Sequence, residues 1–214
     1  MAYGSYDGAL RDLVHLLKFE QVRPAAKALG QLLAACVREL EPSLPTGSVA
    51  IVPVPLYSRK QAQRGFNQAE RIARSALKQL SSSIPVKRFE MLDRALVRTR
   101  DTSSQIGLTR HQRRENLRGA FKVADPTRVC GRNILLVDDV YTTGATVSEC
   151  TRVLLRAGAA GVWVATVGRT IKMYDWPAMR DSISAHESEG EEFLEAQKNL
   201  EGVNDGHLNT VARA

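Results

Sequence analysis

Apolar positions recur at three- and four-residue spacing twice near the N-terminus: Leu10, Leu13, Val14 and Leu17 within Tyr6 to Phe19, and Leu29, Leu32, Leu33 and Val37 within Ala25 to Leu40. That period lines one face of a helix, so two amphipathic helices are predicted. The break EPSLPTGS then gives way to VAIVPVPL, which is β-branched, short and apolar throughout. A strand covered on both faces reads this way. After it, YSRKQAQRGFNQ is polar and basic and reads as a loop, followed by a helix over Glu70 to Leu80. A strand near Met91 to Val97, the polar stretch TRDTSSQIGLTRHQRRENLRG and a short strand AFKV come next. The strand ILLV, a helix from Thr146 to Ala157, the turn AGAAG and a last strand VWVATVG complete the pattern. Strands alternating with helices predict an α/β fold, a parallel sheet flanked by helices.

Composition changes this picture little. A chain of 214 residues that is 43% hydrophobic can bury the core of one domain with an appendage. No apolar run approaches the roughly 18 residues of a membrane helix. The start MAYGSYDGALRDL lacks the charged-then-apolar order of a signal peptide. A cytoplasmic protein without membrane insertion is expected. Cys36, Cys130 and Cys150 are far apart and form no CxxC pair, so they predict reduced, mostly buried thiols rather than a zinc ribbon or a disulfide framework.

Charge changes it more. The net +7 is uneven: residues 175–214 hold nine acids against three bases, a net of −6, and residues 1–174 hold 27 bases against 14 acids, a net of +13. Such a body suits polyanionic partners, polyphosphate or nucleic acid, or is simply a solvated surface. The acidic tail has a short helical pattern around Glu191 to Leu200 and little to bury. Domain boundaries are therefore expected at 1–172 for the α/β domain and 173–214 for the tail. His15 reads as structural, His111 falls in the polar stretch, and His186 and His207 belong to the tail. None is assigned a catalytic role.

The chemistry concentrates in ILLVDDVYTTGAT, Ile134 to Thr146. In a parallel sheet, ligands bind beyond the carboxyl ends of the strands, where Asp138 and Asp139 stand. Consecutive strand residues face opposite ways, so one carboxylate can meet a ligand while the other orients an amide or a hydrated metal. Thr142, Thr143, Gly144, Ala145 and Thr146 open the next helix. Their hydroxyls, the exposed N–H groups and the positive helix terminus suit a phosphate, and Gly144 allows close backbone approach. Neither GxxxxGK[ST] nor a GxGxxG after a strand is present, which disfavours a Walker hydrolase and a dinucleotide enzyme.

The segment VDDVYTTGAT resembles the phosphoribosyl pyrophosphate motif of the type I phosphoribosyltransferases. Together with VPVPLYSRKQAQRGFNQAE and RTRDTSSQIGLTRHQRRENLRGAF it is similar to the ComF (competence protein F, GntX-like) branch of that superfamily, over about residues 6 to 170. The resemblance implies a type I phosphoribosyltransferase-like sheet whose N-terminal helices, about residues 6–40, form a hood. It implies that Asp138 and Asp139 contact the ribose hydroxyls and, as catalytic acids, a Mg²⁺ ion. Tyr141, Thr142, Thr143, Gly144, Ala145 and Thr146 would bind the donor's 5′-phosphate, and Arg59, Lys60 and Arg64 its pyrophosphate. The polar stretch from Thr99 to Arg118 fits a flexible lid over the site, with Arg100, Gln105, Arg113 and Asn116 as candidates and Arg113 as the preferred cation. Asn67 is either a helix cap or a ligand contact. Many relatives begin with a zinc module, which this sequence lacks, so no zinc is carried over. The expected function is Mg²⁺-dependent transfer of phosphoribose to a nitrogen acceptor, associated by family with DNA uptake in competence. The alternative is a non-catalytic protein that senses the donor or binds single-stranded DNA. Partners implied are phosphoribosyl pyrophosphate, single-stranded DNA, a competence helicase and a second copy of the chain.

Overall fold

The chain opens with β1 (Ala2–Ser5), a strand the hydrophobic pattern does not predict. Its AYGS sequence carries no apolar alternation, and it forms by pairing parallel with the last strand, Ala2 opposite Thr166. In this computed structural model the described residues are 1–20, 22, 24–81, 88–102 and 109–170. They fall in one unit, Met1–Thr170. Gln105 and the acidic tail, with its expected helical pattern, lie outside the described residues.

The two expected N-terminal helices are α1 (Gly8–Phe19) and α2 (Ala25–Leu40), which bury Val14 and Leu17, and Leu29, Leu33 and Val37. The apolar run is β2 (Val49–Pro53), buried at every position. The expected loop after it is instead largely helical: α3 (Ser58–Arg64) buries no residue, so no apolar periodicity marks it. Its residues are mostly good helix formers, and Gly65 ends it at φ 72°, a left-handed conformation that favours glycine. α4 (Gln68–Leu80) starts two residues before its expected boundary, because Asn67 caps it: the Asn67 Oδ1 accepts the Ala69 N–H at 3.0 Å.

The single strand expected near Met91 to Val97 is two. β3 (Phe89–Met91) joins the main sheet, whereas β4 (Leu96–Arg98) pairs antiparallel with β5 (Phe121–Val123). Arg94, at φ 59°, sits between them. The stretch expected as a lid loop contains α5 (Arg110–Leu117), started by a reciprocal capping box of Thr109 and Gln112. β6 (Asn133–Tyr141) runs four residues past ILLV, through both aspartates. α6 (Ala145–Arg156) and β7 (Gly161–Arg169) complete the fold.

The main sheet has the order β1-β7-β6-β2-β3 and is parallel throughout. Alternation splits the core into two layers. Val49, Ile51, Leu135 and Val137 pack with residues of α1, α2 and α4, such as Leu17, Leu33 and Ile72. Ala50, Val52, Ile134 and Leu136 pack with Leu154 of α6, Leu117 of α5 and Phe121 of β5. From β2 the chain crosses to β3 on one side, and from β6 to β7 on the other. The strand order therefore diverges between β2 and β6, and in an open α/β sheet that crevice is where ligands bind.

Candidate functional site

β6 outruns its neighbour at this crevice. The β2 register ends with Pro53 opposite Val137, and the Val54 N–H donates to the Val137 carbonyl at 2.9 Å. β6 continues alongside β7 to Tyr141. In this overhang each carboxylate accepts the N–H that follows it: Asp138 Oδ1 from Asp139 at 2.9 Å, and Asp139 Oδ1 from Val140 at 2.7 Å.

Alternation sends the two acids to different layers. Asp139 is 4% exposed. Its Oδ2 lies 2.7 Å from Nζ of Lys18, in the last turn of α1. Burial works against the Lys18 charge, but the Asp139 carboxylate outweighs it and raises the Lys18 pKa. Asp138 is half-buried and shares its surroundings with Arg98 and Cys150. Burial, reinforced by the neighbouring Asp139 charge, pushes its carboxyl up to about 7, and Lys18 and Arg98 act in the opposite direction.

Beyond the acids the chain enters the loop that opens α6. Gly144 has φ 77°, and a Cβ there would collide with the Tyr141 hydroxyl and stand 2.8 Å from Cζ of the same ring. Only glycine meets both demands. The N-cap of α6 is Gly144, and no side-chain cap forms there among the described residues, which leaves the first N–H groups of the helix to an anion. The Thr143 Oγ1 is buried and has no hydrogen-bond partner among the described residues. A hollow lined by Asp138, Tyr141, Thr142, Gly144 and Thr146 holds about 10 Å³. That is room for about one water.

The three expected pyrophosphate cations, Arg59, Lys60 and Arg64, all stand on α3. Arg59 is exposed on α3. Lys60 Nζ stands 3.9 Å from Asp101 Oδ1. Arg64 donates to Gln68 Oε1 at 3.0 Å and lies over the Phe19 ring at 5.5 Å. None of the three lines the hollow. Arg113 is half-buried on α5, which packs against α6. Arg100 donates to the carbonyls of Asn116 and Arg118, at 3.1 and 2.9 Å, and so caps the end of α5. Asn67, left between two readings by the sequence, is a cap that also donates to the Val54 carbonyl at 3.0 Å. Lys18 pairs with Asp139 and Arg98 acts on Asp138 through its charge, and the sequence pattern did not single them out. A lysine flanked by Leu17 and Phe19 at a helix end, and an arginine closing an apolar strand, were the only traces.

All three cysteines are free; Cys36 and Cys150 are buried and Cys130 is exposed. Among the described residues no group of three or more His, Cys, Asp or Glu is placed to hold a metal, and no helix is long and apolar enough to cross a membrane.

No protein-family model matches the chain. Sequence relatives do. The chain is 37% identical over 172 residues to the DNA utilization protein YhgH of Escherichia coli, covering 78% of this chain and 70% of the relative. It is 34% identical over 166 residues to Competence protein F of Haemophilus influenzae, covering 75% and 68%. Against Competence protein ComFC of Streptococcus pneumoniae the identity is 28% over 158 residues, covering 74% and 62%. Among solved structures, a glutamine phosphoribosylpyrophosphate amidotransferase from B. subtilis matches at TM-score 0.40 and 21% identity, over 68% of this chain and 26% of that one. A hypoxanthine phosphoribosyltransferase from Staphylococcus aureus matches at TM-score 0.40 and 10% identity, over 69% and 75%. Those scores are low, and the assignment rests on the sequence relatives: the chain belongs to the ComF family of competence and DNA utilization proteins.

Proposed function

We propose that the overhang of β6 and the loop opening α6 bind phosphoribosyl pyrophosphate, and that the protein transfers phosphoribose from it to a nitrogen acceptor. The observation that carries this reading is the buried Thr143 Oγ1, without a partner among the described residues and beside the uncapped start of α6. A buried hydroxyl left unbonded costs stability unless a ligand completes it. A phosphate at a helix N-terminus supplies acceptor oxygens there. Asp138, half-buried on the crevice side of the sheet end, would accept from a ribose hydroxyl.

In the reaction the bond from C1 to pyrophosphate breaks, pyrophosphate leaves with the electron pair, and the nitrogen forms the new bond with inversion. Asp138 is also the carboxylate that would meet a Mg²⁺ ion brought by the donor. Mg²⁺ commonly uses one or two carboxylates plus substrate phosphates. Such an ion would neutralise charge on the leaving group. Asp139 serves this assembly through Lys18, which ties α1 to the sheet end.

The test is pyrophosphate release on mixing protein, donor, Mg²⁺ and a panel of nucleobases. Release with at least one base, above donor hydrolysis, is the expected result. Saturable donor binding with no release from any base would replace catalysis by sensing.

DNA handling is the second reading, supported by the names of the relatives and by the net +13 of residues 1–174. Aromatic residues are only 6% of the chain, so strand binding would be mainly electrostatic and would weaken steeply with salt. Fluorescent oligonucleotide titrations at several salt concentrations measure it.

A further inference from the structure

α3 is a helix that buries no residue. Its sequence SRKQAQR holds three cations and no acid. Arg59 is exposed, and Lys60 reaches the partly exposed Asp101 only at 3.9 Å. A helix that adds nothing to the core and presents cations to water suits a partner of opposite charge.

At the end of α3, Arg64 lies over the ring of Phe19, 5.5 Å from its centroid. Phe19 is 63% exposed, more than any other large apolar side chain among the described residues. Its backbone is anchored, because the preceding residue, Lys18, pairs with Asp139 at 2.7 Å. The His15 ring stands 4.7 Å from it at 39°. Glu20, the acid next to it in sequence, has Oε1 3.6 Å from His15 Nδ1. An anchored, exposed ring beside cations is the arrangement that single-stranded nucleic acid uses: a base stacks on the ring while the backbone phosphates follow the positive groups. Bases in a duplex are stacked on one another and offer the ring no free face.

We infer that the end of α1 and the exposed side of α3 form one surface for single-stranded DNA, with a base on Phe19 and the flanking phosphates on Arg59 and Arg64. The inference rests on the DNA reading given above and does not depend on donor binding.

The experiment titrates the full chain into fluorescent oligothymidylate, an abasic strand of the same length and the matching duplex, at several salt concentrations. Oligothymidylate should bind at least about fivefold more tightly than the abasic strand, the gain from stacking one base, and more tightly than the duplex. Phe19→Leu keeps apolar bulk without a ring face, so it should weaken oligothymidylate by the same factor and leave the abasic strand unchanged. Phe19→Trp should bind at least as tightly as the wild type. Arg59→Gln should reduce the slope of log affinity against log salt by about 0.7, one phosphate contact on a single strand. Circular dichroism confirms that each variant is folded. If Phe19→Leu does not fold, amide shifts of the wild type decide: oligothymidylate should move the signals of Phe19 and Arg59 and leave Gly131, at the amino end of β6, in place. The surface is overturned, with DNA binding intact, by unchanged affinity in a folded Phe19→Leu, by equal binding of the abasic strand or the duplex, by an unchanged salt slope in Arg59→Gln, or by shifts at Gly131 alone. No binding of any strand by the wild type would remove the DNA reading and this inference with it.

Discussion

Lys18 Nζ stands 2.7 Å from Asp139 Oδ2, and this ion pair is what fastens the end of α1 to the carboxyl end of β6. The Lys18 side chain is 20% exposed and that of Asp139 6%, so the pair is largely shielded from water and from salt. Its partners lie 121 positions apart in the sequence. Removing one partner leaves a charge buried alone, which costs about 3–5 kcal/mol, whereas removing both costs far less. Lys18→Met is expected to lower unfolding stability in urea by about 3 kcal/mol, and Asp139→Asn in that background to recover most of the loss. Strict additivity of the two substitutions would show that the pair is not coupled.

Thr143→Val tests what the hydroxyl is for. Its Oγ1 has no hydrogen-bond partner among the described residues, so an isosteric apolar side chain should leave the melting temperature of the free protein unchanged or raise it. A fall of several degrees would mean that the hydroxyl serves the fold rather than a ligand.

Gly144→Ala combines two costs. Alanine at φ 77° pays roughly 1–2 kcal/mol for the left-handed backbone, and its Cβ meets the Tyr141 ring. Thermal unfolding should show a loss above 1 kcal/mol. Tyr141→Ala in the same chain should remove the steric part and keep the backbone part. Complete rescue by Tyr141→Ala would contradict the backbone contribution.

Acid reports on Glu149, which is nearly buried in α6. It accepts two hydrogen bonds from Arg152, at 2.8 and 2.6 Å, and one from the Gly119 N–H at 2.7 Å. The Arg152 bond is the largest cause holding its carboxyl below the ordinary value of 4.5, followed by an opposing effect of burial and then the Gly119 bond. A depressed carboxyl contributes stability that is present above its unfolded value and lost as pH falls through its folded one. The urea midpoint of the wild type should therefore exceed that of Glu149→Gln at pH 6, and the gap should narrow as pH falls below 4.5 and close once it has passed the depressed folded value. A gap independent of pH would remove the charge from the account.

Much of the fold was legible because its buried faces carry their period in the sequence: Leu29, Leu33 and Val37 announce α2, and the unbroken run of β2 announces a strand covered on both sides. The elements that were missed bury little or nothing of their own. α3 buries no residue, β1 has no apolar alternation, and α5 is set by a cap rather than an apolar face. The loop from Tyr141 to Thr146 and the acid pair were likewise readable, since local geometry fixes them. Lys18 and Arg98 were not, because each acts on the acids only through the tertiary fold, and the cations on α3 found partners, Asp101 and Gln68, that no local pattern shows.

As proposed, Asp138 and Thr143 hold phosphoribosyl pyrophosphate. Calorimetric titration of the donor with Mg²⁺ into the wild type and into Asp138→Asn/Thr143→Val tests it most directly. Two hydrogen bonds to charged groups, at about 1.5–3 kcal/mol each, predict saturable binding by the wild type and an affinity at least about 100-fold lower in a folded double variant. Equal affinity in the two proteins, or no binding by the wild type, would contradict the account.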